Sequence, residues 1–464
     1  MKISKKEDLL ERMRGGGNLL RSEKLNLVML LSLPAMMGQL SIIAMQYIDA
    51  MMVGQLGAQA SAAIGVVSTS TWLFGGVCGT LASGFCVLVA HRIGAGDRDG
   101  ARAILRQALL LCFGFALLVS ALCVGMHRFL PVWLGADADV ASLASGYFLV
   151  WSLTLPVMQL MYLSNGMLRS SGNMLVPGVL GVAMMLLDVL FNRMFIPRWG
   201  VAGAALATSL AGGSVSLTSL AYLLLRSKDL RLWGHPGRLR FDMNIIRDSL
   251  SISAPMVVEH TVFCAAQIAS TIIVAGLGTV AIAANAFGIV VESLCYMPGY
   301  GIGEAATTLI GQSYGARRID LIRSFSRLTI VVGVAVMTLL AVVMYVYAPD
   351  LMALMTPDPE VQAQSVIALR IEAFAEPMYA ASIVTYCVFV GLGDTLVPSI
   401  MNLSTIWLVR IPLAWVLSRT MGFPGVWVAM AVELTVRGTI FLTRMRLKKI
   451  SYKDNKVENR RNRK

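Results

Sequence analysis

Apolar residues run along this chain in long blocks, separated by short clusters of Gly, Pro and charge. A helix needs roughly 20 apolar residues to cross a bilayer. Twelve blocks meet that length and predict spans at 27–53, 60–90, 103–126, 139–167, 175–196, 201–226, 248–276, 282–312, 325–348, 362–391, 396–419 and 424–445. The expected fold class is an all-α polytopic membrane protein with twelve transmembrane helices.

The blocks also repeat. Displacing the sequence by 221 positions brings Pro34 onto Pro255, Leu56-Gly57 onto Leu277-Gly278 and Gly94-Ala95 onto Gly315-Ala316. The same shift brings Pro156 onto Pro377, Gly172 onto Gly393 and Val176-Pro177 onto Val397-Pro398. After one inserted residue, Gly200 and Gly203 fall on Gly422 and Gly425. An offset held over six helices predicts two pseudo-symmetric six-helix bundles of like orientation, a recurring transporter plan. The expected division is a segment 1–26, a bundle 27–230, a linker 231–247, a second bundle 248–446 and a basic tail 447–464.

Composition narrows the class. Of 464 residues, 56% are hydrophobic and 14% charged, whereas soluble domains are about 25% charged. The net charge of +13 does not point to nucleic acid, because its placement follows membrane topology. No lysine lies between Lys24 and Lys228 or between Lys228 and Lys448. One side gathers Arg92, Arg98, Arg102, Arg106, Arg169, the linker arginines, Arg317, Arg318, Arg323 and Arg327. Cytoplasmic loops keep the Lys/Arg excess, so both termini are expected in the cytoplasm and the chain in a bacterial inner (plasma) membrane, with lipids as partners. The first residues read as a short amphipathic helix rather than a cleaved signal peptide. The 7 cysteines lie in apolar segments without ligand spacing, so neither disulfide nor metal is expected. No phosphate-binding GxxxxGK[ST] loop occurs, and no nucleophile stands with its base. A cofactor is not expected, and the chain is not expected to be an enzyme.

Chemistry concentrates in the few charges inside the spans. A carboxylate at a span centre costs about 2.5–3.5 kcal/mol on insertion scales. Binding a proton or another cation removes that cost. Asp49 in the first span and Asp188 in the fifth are such groups, and Asn192 shares a helical face with Asp188. Glu259, one turn after Pro255, and its neighbour His260 form a further candidate. At the repeat offset Asp49 meets Ser270, Asp188 meets Val409 and Glu259 meets Gly38. The two bundles share a scaffold but not their carboxylates, which makes the N-terminal bundle the candidate for cation coupling. Glu292, Glu304, Arg410, Glu433 and Arg437 read as structural ion pairs, and the 28 methionines as membrane packing.

The stretches "IDAMMVGQLGAQASAAIG", "VAGLGTVAIAANAFGI", "GIGEAATTLIGQSYGARR", "GLGDTLVPSI" and "WGVAGAALATSLA" resemble the multidrug and toxic compound extrusion (MATE) family. The resemblance covers nearly the whole chain outside its tails and sits closest to the prokaryotic DNA-damage-inducible branch. It implies two bundles arranged as a V and export of cationic or amphipathic compounds by alternating access, in exchange for protons or sodium. It implies coupling at Asp49 and Asp188, a sixth-span Thr208 near the cation site and a bend of the first helix at Pro34. Met184 replaces an asparagine common in that branch, which favours proton over sodium at Asp49 and Asp188. Another branch pairs a seventh-span glutamate, here Glu259, with a tenth-span aspartate, here Tyr379. Gln46, Glu259, His260 and Tyr379 are thus candidates for a substrate or secondary proton site. A monomer is expected. The rival readings are a lipid-linked precursor flippase, disfavoured by twelve spans and a lysine-free core, and a non-transporting scaffold, which leaves the repeat unexplained.

Overall fold

The computed structural model describes residues 5–235 and 241–448. The basic tail from 449 onward, the centre of the linker and the first four residues lie outside the described residues. A short helix α1 (Lys5–Arg14) precedes the long helices α2 (Arg21–Gly54), α3 (Ala58–Gly94) and α4 (Arg98–Met126). A single turn α5 (Phe129–Trp133) leads to α6 (Ala138–Ser170) and α7 (Leu175–Leu225). The second half runs through α8 (Met243–Ala275), α9 (Thr279–Gly315), α10 (Ile319–Met355), α11 (Pro359–Ala373) and α12 (Glu376–Gly391). It closes with α13 (Leu396–Thr405), a π-helical segment Ile406–Arg410, α14 (Ile411–Met421) and α15 (Phe423–Leu447). Among the described residues, ten helices and one bent pair are long and apolar enough to cross a membrane.

Helix α7 holds the expected fifth and sixth spans end to end. Gly200, at φ 55° and ψ −130°, divides them. Its repeat partner Gly422, at φ 66° and ψ −141°, divides the eleventh span from the twelfth. This backbone region is closed to residues with a Cβ, so the paired glycines explain why both bundles turn at the same place. A Cβ on Gly203 would lie 2.4 Å from the Phe195 carbonyl oxygen, and one on Gly425 2.3 Å from that of Leu417. The twelve spans thus form two repeat-related bundles of six.

Two spans depart from the expected single rods. The tenth, expected at 362–391, consists of α11 and α12, bent by 58°. Pro377 lacks an N–H and crowds the residue before it, which favours a break at Phe374–Ala375. The eleventh, expected at 396–419, passes through the π-helical segment just before Pro412. The first span runs on through Pro34 without interruption.

The bundles meet mainly through the half that carries the arginine-rich loops, here called the basic face. An apolar seam joins Leu27, Leu31 and Ala35 of α2 to Ile302, Leu309 and Phe325 of the second bundle. The contact follows the pseudo-symmetry. His91 Nε2 lies 2.8 Å from the Gly391 carbonyl oxygen, and Gln312 Nε2 donates to that of Ser170 at 2.8 Å. His91 and Gln312 are repeat partners, as are Ser170 and Gly391. A Cβ on Gly94 would lie 2.0 Å from the Gln312 oxygen, and one on Gly315 1.9 Å from the His91 oxygen. Arg169 and Glu304 pair across the interface at 2.5 Å, and Gln39 adds a bond to Glu304 at 3.1 Å. Helix α1 covers this seam, with Leu9, Leu10 and Met13 buried in it. Arg14 donates to Asp229, to Gln312 and to the Ser171 carbonyl, one partner set spanning both bundles.

Candidate functional site

The N-terminal bundle brings Asp49, Asp188 and Asn192 together. The spacing of four residues stacks Asp188 and Asn192 on one face of α7, and α2 packs against that face through glycines. Gly181 approaches Gly38 so closely that an added Cβ would sit 3.2 Å from the Gly38 Cα. Asn192 Nδ2 donates to Asp49 Oδ1 at 2.6 Å and to Asp188 Oδ2 at 2.9 Å. One amide therefore bridges two carboxylates from two helices. Asp188 and Asn192 are fully buried, and Asp49 is half-buried.

The walls around these groups are mostly apolar, with the Tyr147 phenol of α6 within Coulombic range of both aspartates. One turn toward the basic face lie Met45 on α2 and Met184 on α7, which cluster with Met158 and Met161. One turn the other way lie Val53 and Ile196, packed with Val201 and Ala204. The expected packing role of methionine is realised here, as the floor of the site. Among the described residues Asp188 Oδ1 and Asn192 Oδ1 have no hydrogen-bond partner. Such orphans are costly in a low-dielectric setting. No ion pair joins Asp49 or Asp188 to an arginine among the described residues, and Arg193 is exposed.

The other expected residues fall elsewhere. The Thr208 hydroxyl donates to its own helix, to the Ala204 carbonyl at 3.2 Å. Gln46, one turn before Asp49, is exposed. Glu259 is held by three donors: Tyr386 at 2.7 Å, Ser399 at 2.5 Å and Asn402 at 2.6 Å. Its neighbour His260 reaches across the bundles, with Nε2 3.2 Å from the Trp72 carbonyl oxygen and its ring 5.0 Å from that of Trp72. Tyr379 lies against Tyr296, with ring centroids 5.6 Å apart and planes tilted by 55°, and Arg437 sits over its ring at 5.9 Å. Tyr386, two turns further along α12, takes the place beside Glu259.

Of the residues read as ion pairs, Glu433 and Arg437 join by two bonds of 2.7 Å, and Glu304 pairs with Arg169 as above. Arg410 donates to the Met430 sulfur. Glu292 enters no ion pair among the described residues. Sequence reasoning missed Glu372 and Glu376, both fully buried. Both lie near the middle of the expected span 362–391, where a charge is costly; that placement, and a pair of glutamates four apart in "EAFAE" just before Pro377, was the available signal.

Fold and site together define a multi-pass membrane protein of two repeat-related six-helix bundles, with bridged carboxylates inside the first. The MatE family model matches residues 34–194 and 255–416, one stretch in each bundle. The chain belongs to that family. It is 25% identical over 420 residues to a probable multidrug resistance protein NorM of Thermotoga maritima, covering 89% of this chain and 90% of the relative. A relative of the same description from Bradyrhizobium diazoefficiens is 28% identical over 441 residues, covering 90% and 92%. Among solved structures, the Vibrio cholerae MATE transporter VcmN in its bent form superposes with a TM-score of 0.83 at 22% identity, covering 92% and 97%. An outward-facing multidrug resistance MATE family transporter gives a TM-score of 0.87 at 21% identity, covering 96% and 98%.

Proposed function

We propose that this chain is a multidrug efflux antiporter of the bacterial inner membrane. It exports cationic or amphipathic compounds by alternating access and takes up protons in exchange. The observation that carries this reading is the single Asn192 amide shared by Asp49 and Asp188 in a mostly apolar pocket. Two carboxylates held by one neutral donor keep an unbalanced charge that a visiting cation relieves. The names of the NorM relatives support the multidrug character of the substrate.

Protons fit better than sodium. Hard cations gather about six oxygen ligands. Beyond the two bridged carboxylates, the described residues add the Asn192 oxygen and the nearby Tyr147 phenol, since Thr208 is turned to its backbone and Met184 has no oxygen to give. A proton needs a single acceptor, and the free Asp188 oxygen is one. Proton binding at Asp49 and Asp188 would loosen the α2–α7 bridge, let α2 bend near Pro34 and release a bound drug. Closed packing at the basic face accords with the proton entering from the opposite side. Opening that face would move buried side chains such as Leu27 and Leu31 toward water, each costing about 1.5–3 kcal/mol, so the state change needs a driving event.

Glu259, with its three donors inside the second bundle, serves as a secondary polar anchor. The flippase and scaffold readings gain no support from the site. Drug susceptibility of cells overproducing the chain separates them: raised tolerance to a fluorescent organic cation, lost in Asp49→Asn at equal protein level, supports the exporter. Equal tolerance with and without the chain removes it.

A further inference from the structure

The C-terminal bundle buries a second group of carboxylates, away from Glu259. Glu292 comes from α9, Glu372 from α11 and Glu376 from α12. Glu372 and Glu376 are 0% exposed and Glu292 is 5% exposed. Among the described residues neither oxygen of Glu372 has a hydrogen-bond partner, and Glu376 has only the Cys295 thiol, a weak donor, beside it.

The surrounding charges do not balance. From α15, Glu433 and Arg437 satisfy each other. From the π-helical segment, Arg410 stands within Coulombic range of Glu292, Glu372 and Glu433. Helix α9 adds Cys295 and Tyr296, and α12 adds Tyr379. Helix α10 contributes Met344, Ala348 and Met352, which are apolar. One guanidinium thus stands near Glu292 and Glu372, and no cation is recorded beside Glu376, whose charged neighbour is Glu292. Carboxylate anions with so few donors in hydrocarbon are too costly to persist.

Two further features converge on this place. The 58° break of the tenth span separates Glu372 from Glu376, and interrupted helices line ion sites in transporters. A small cavity lined on one side by Gln267, Ser270, Thr271 and Asn285 and on the other by Val426, Trp427 and Met430 reaches Arg410, the cation within Coulombic range of Glu292 and Glu372. Ser270 is the repeat partner of Asp49, so the cavity occupies the place that the carboxylate pair holds in the other bundle.

We propose that Glu292, Glu372 and Glu376 form a second proton-binding site, loaded from water in the cavity at Arg410 and exchanged during transport. Each carboxylate oxygen takes a proton from hydronium and returns it to water. The binding does not depend on the Asp49 reading; only the exchange during transport rests on it.

The test is infrared difference spectroscopy of the full chain in liposomes at neutral pH, on an Asp49→Asn, Asp188→Asn background that silences the first site. The expected result is a protonated-carboxyl C=O band that shifts in heavy water within minutes, is unchanged by sodium chloride, and loses most of its intensity in Glu372→Gln, Glu376→Gln. Glu292→Gln serves as a second variant should the double change fail to insert. A band unchanged by all three substitutions, a band abolished by sodium, or one that resists heavy water for hours overturns the proposal. With Asp49 and Asp188 intact, adding the transported dye must also change the band; a band indifferent to the dye, in protein that does transport it, overturns the exchange. If the band behaves as expected while Asp49→Asn alone leaves proton-driven efflux intact, the site stands and the first-site reading fails.

Discussion

Asn192 donates to Asp49 at 2.6 Å, and this bond ties the first span to the fifth. Without Asn192, both carboxylates lose their shared donor. A hydrogen bond to a charged group contributes about 1.5–3 kcal/mol, so Asn192→Leu is expected to slow proton-driven efflux about tenfold to hundredfold. Asn192→Gln, which keeps an amide, should retain part of the rate. Initial rates of dye export from liposomes check this, with unchanged rates counting against a coupling role for the bridge.

Closure of the basic face depends on two glycines related by the repeat. A Cβ on Gly94 or Gly315 would fall about 2 Å from the backbone of the opposite bundle. Overpacking of a tight contact costs about 1–3 kcal/mol. Gly94→Val or Gly315→Val should therefore insert normally but populate a state open at the basic face. Labelling of a cysteine introduced at Ala35, buried in the seam, should rise severalfold in these variants; unchanged labelling would show that the seam tolerates the added atoms.

The cross-bundle pair Arg169–Glu304 should contribute less than a fully buried one, since both side chains keep some exposure, 29% and 24%. Glu304→Gln retains the bond from Gln39 in altered form but removes the charge. The expected effect is about 1 kcal/mol on the same opening equilibrium, in the same direction as the glycine variants. A shift the other way would mean the pair holds the open state.

Outside the membrane, Glu11 on α1 accepts from Lys228 at 2.7 Å. This hydrogen bond, followed by the Lys228 charge, holds the Glu11 carboxyl below its ordinary value. A depressed carboxyl adds stability above its unfolded value, near pH 4, and the contribution is lost as pH falls through the folded one. Amide exchange in α1, corrected for its intrinsic pH dependence, should therefore be slow at neutral pH and quicken on acidification below about pH 4. Lys228→Ala should quicken it slightly at neutral pH, and Arg14→Ala should do so more strongly. Exchange indifferent to all three would detach α1 from the closed face.

The spans, the repeat and the first-site carboxylates were legible because each rests on a local rule. Apolar length gives the spans, one offset gives the bundles, and a charge where charge is costly marks Asp49 and Asp188. Asn192, four positions on from Asp188, bonds to it as helical periodicity expects. What escaped needs the third dimension. The break at Phe374–Ala375 occurs although Pro156, the repeat partner of Pro377, lies in the unbroken α6, so proline position alone does not decide it. The burial of Glu372 and Glu376 follows from that break and from packing against α9 and α15. The three donors of Glu259 come from two other spans, at separations no periodicity encodes.

The most direct test of the coupling claim is export of a fluorescent cation from liposomes containing the purified chain, with proton and sodium gradients imposed separately. Export driven by the proton gradient, absent with sodium alone and reduced at least tenfold in both Asp49→Asn and Asp188→Asn, is the predicted result. Export that follows the sodium gradient, or proceeds undiminished in both variants, would contradict it.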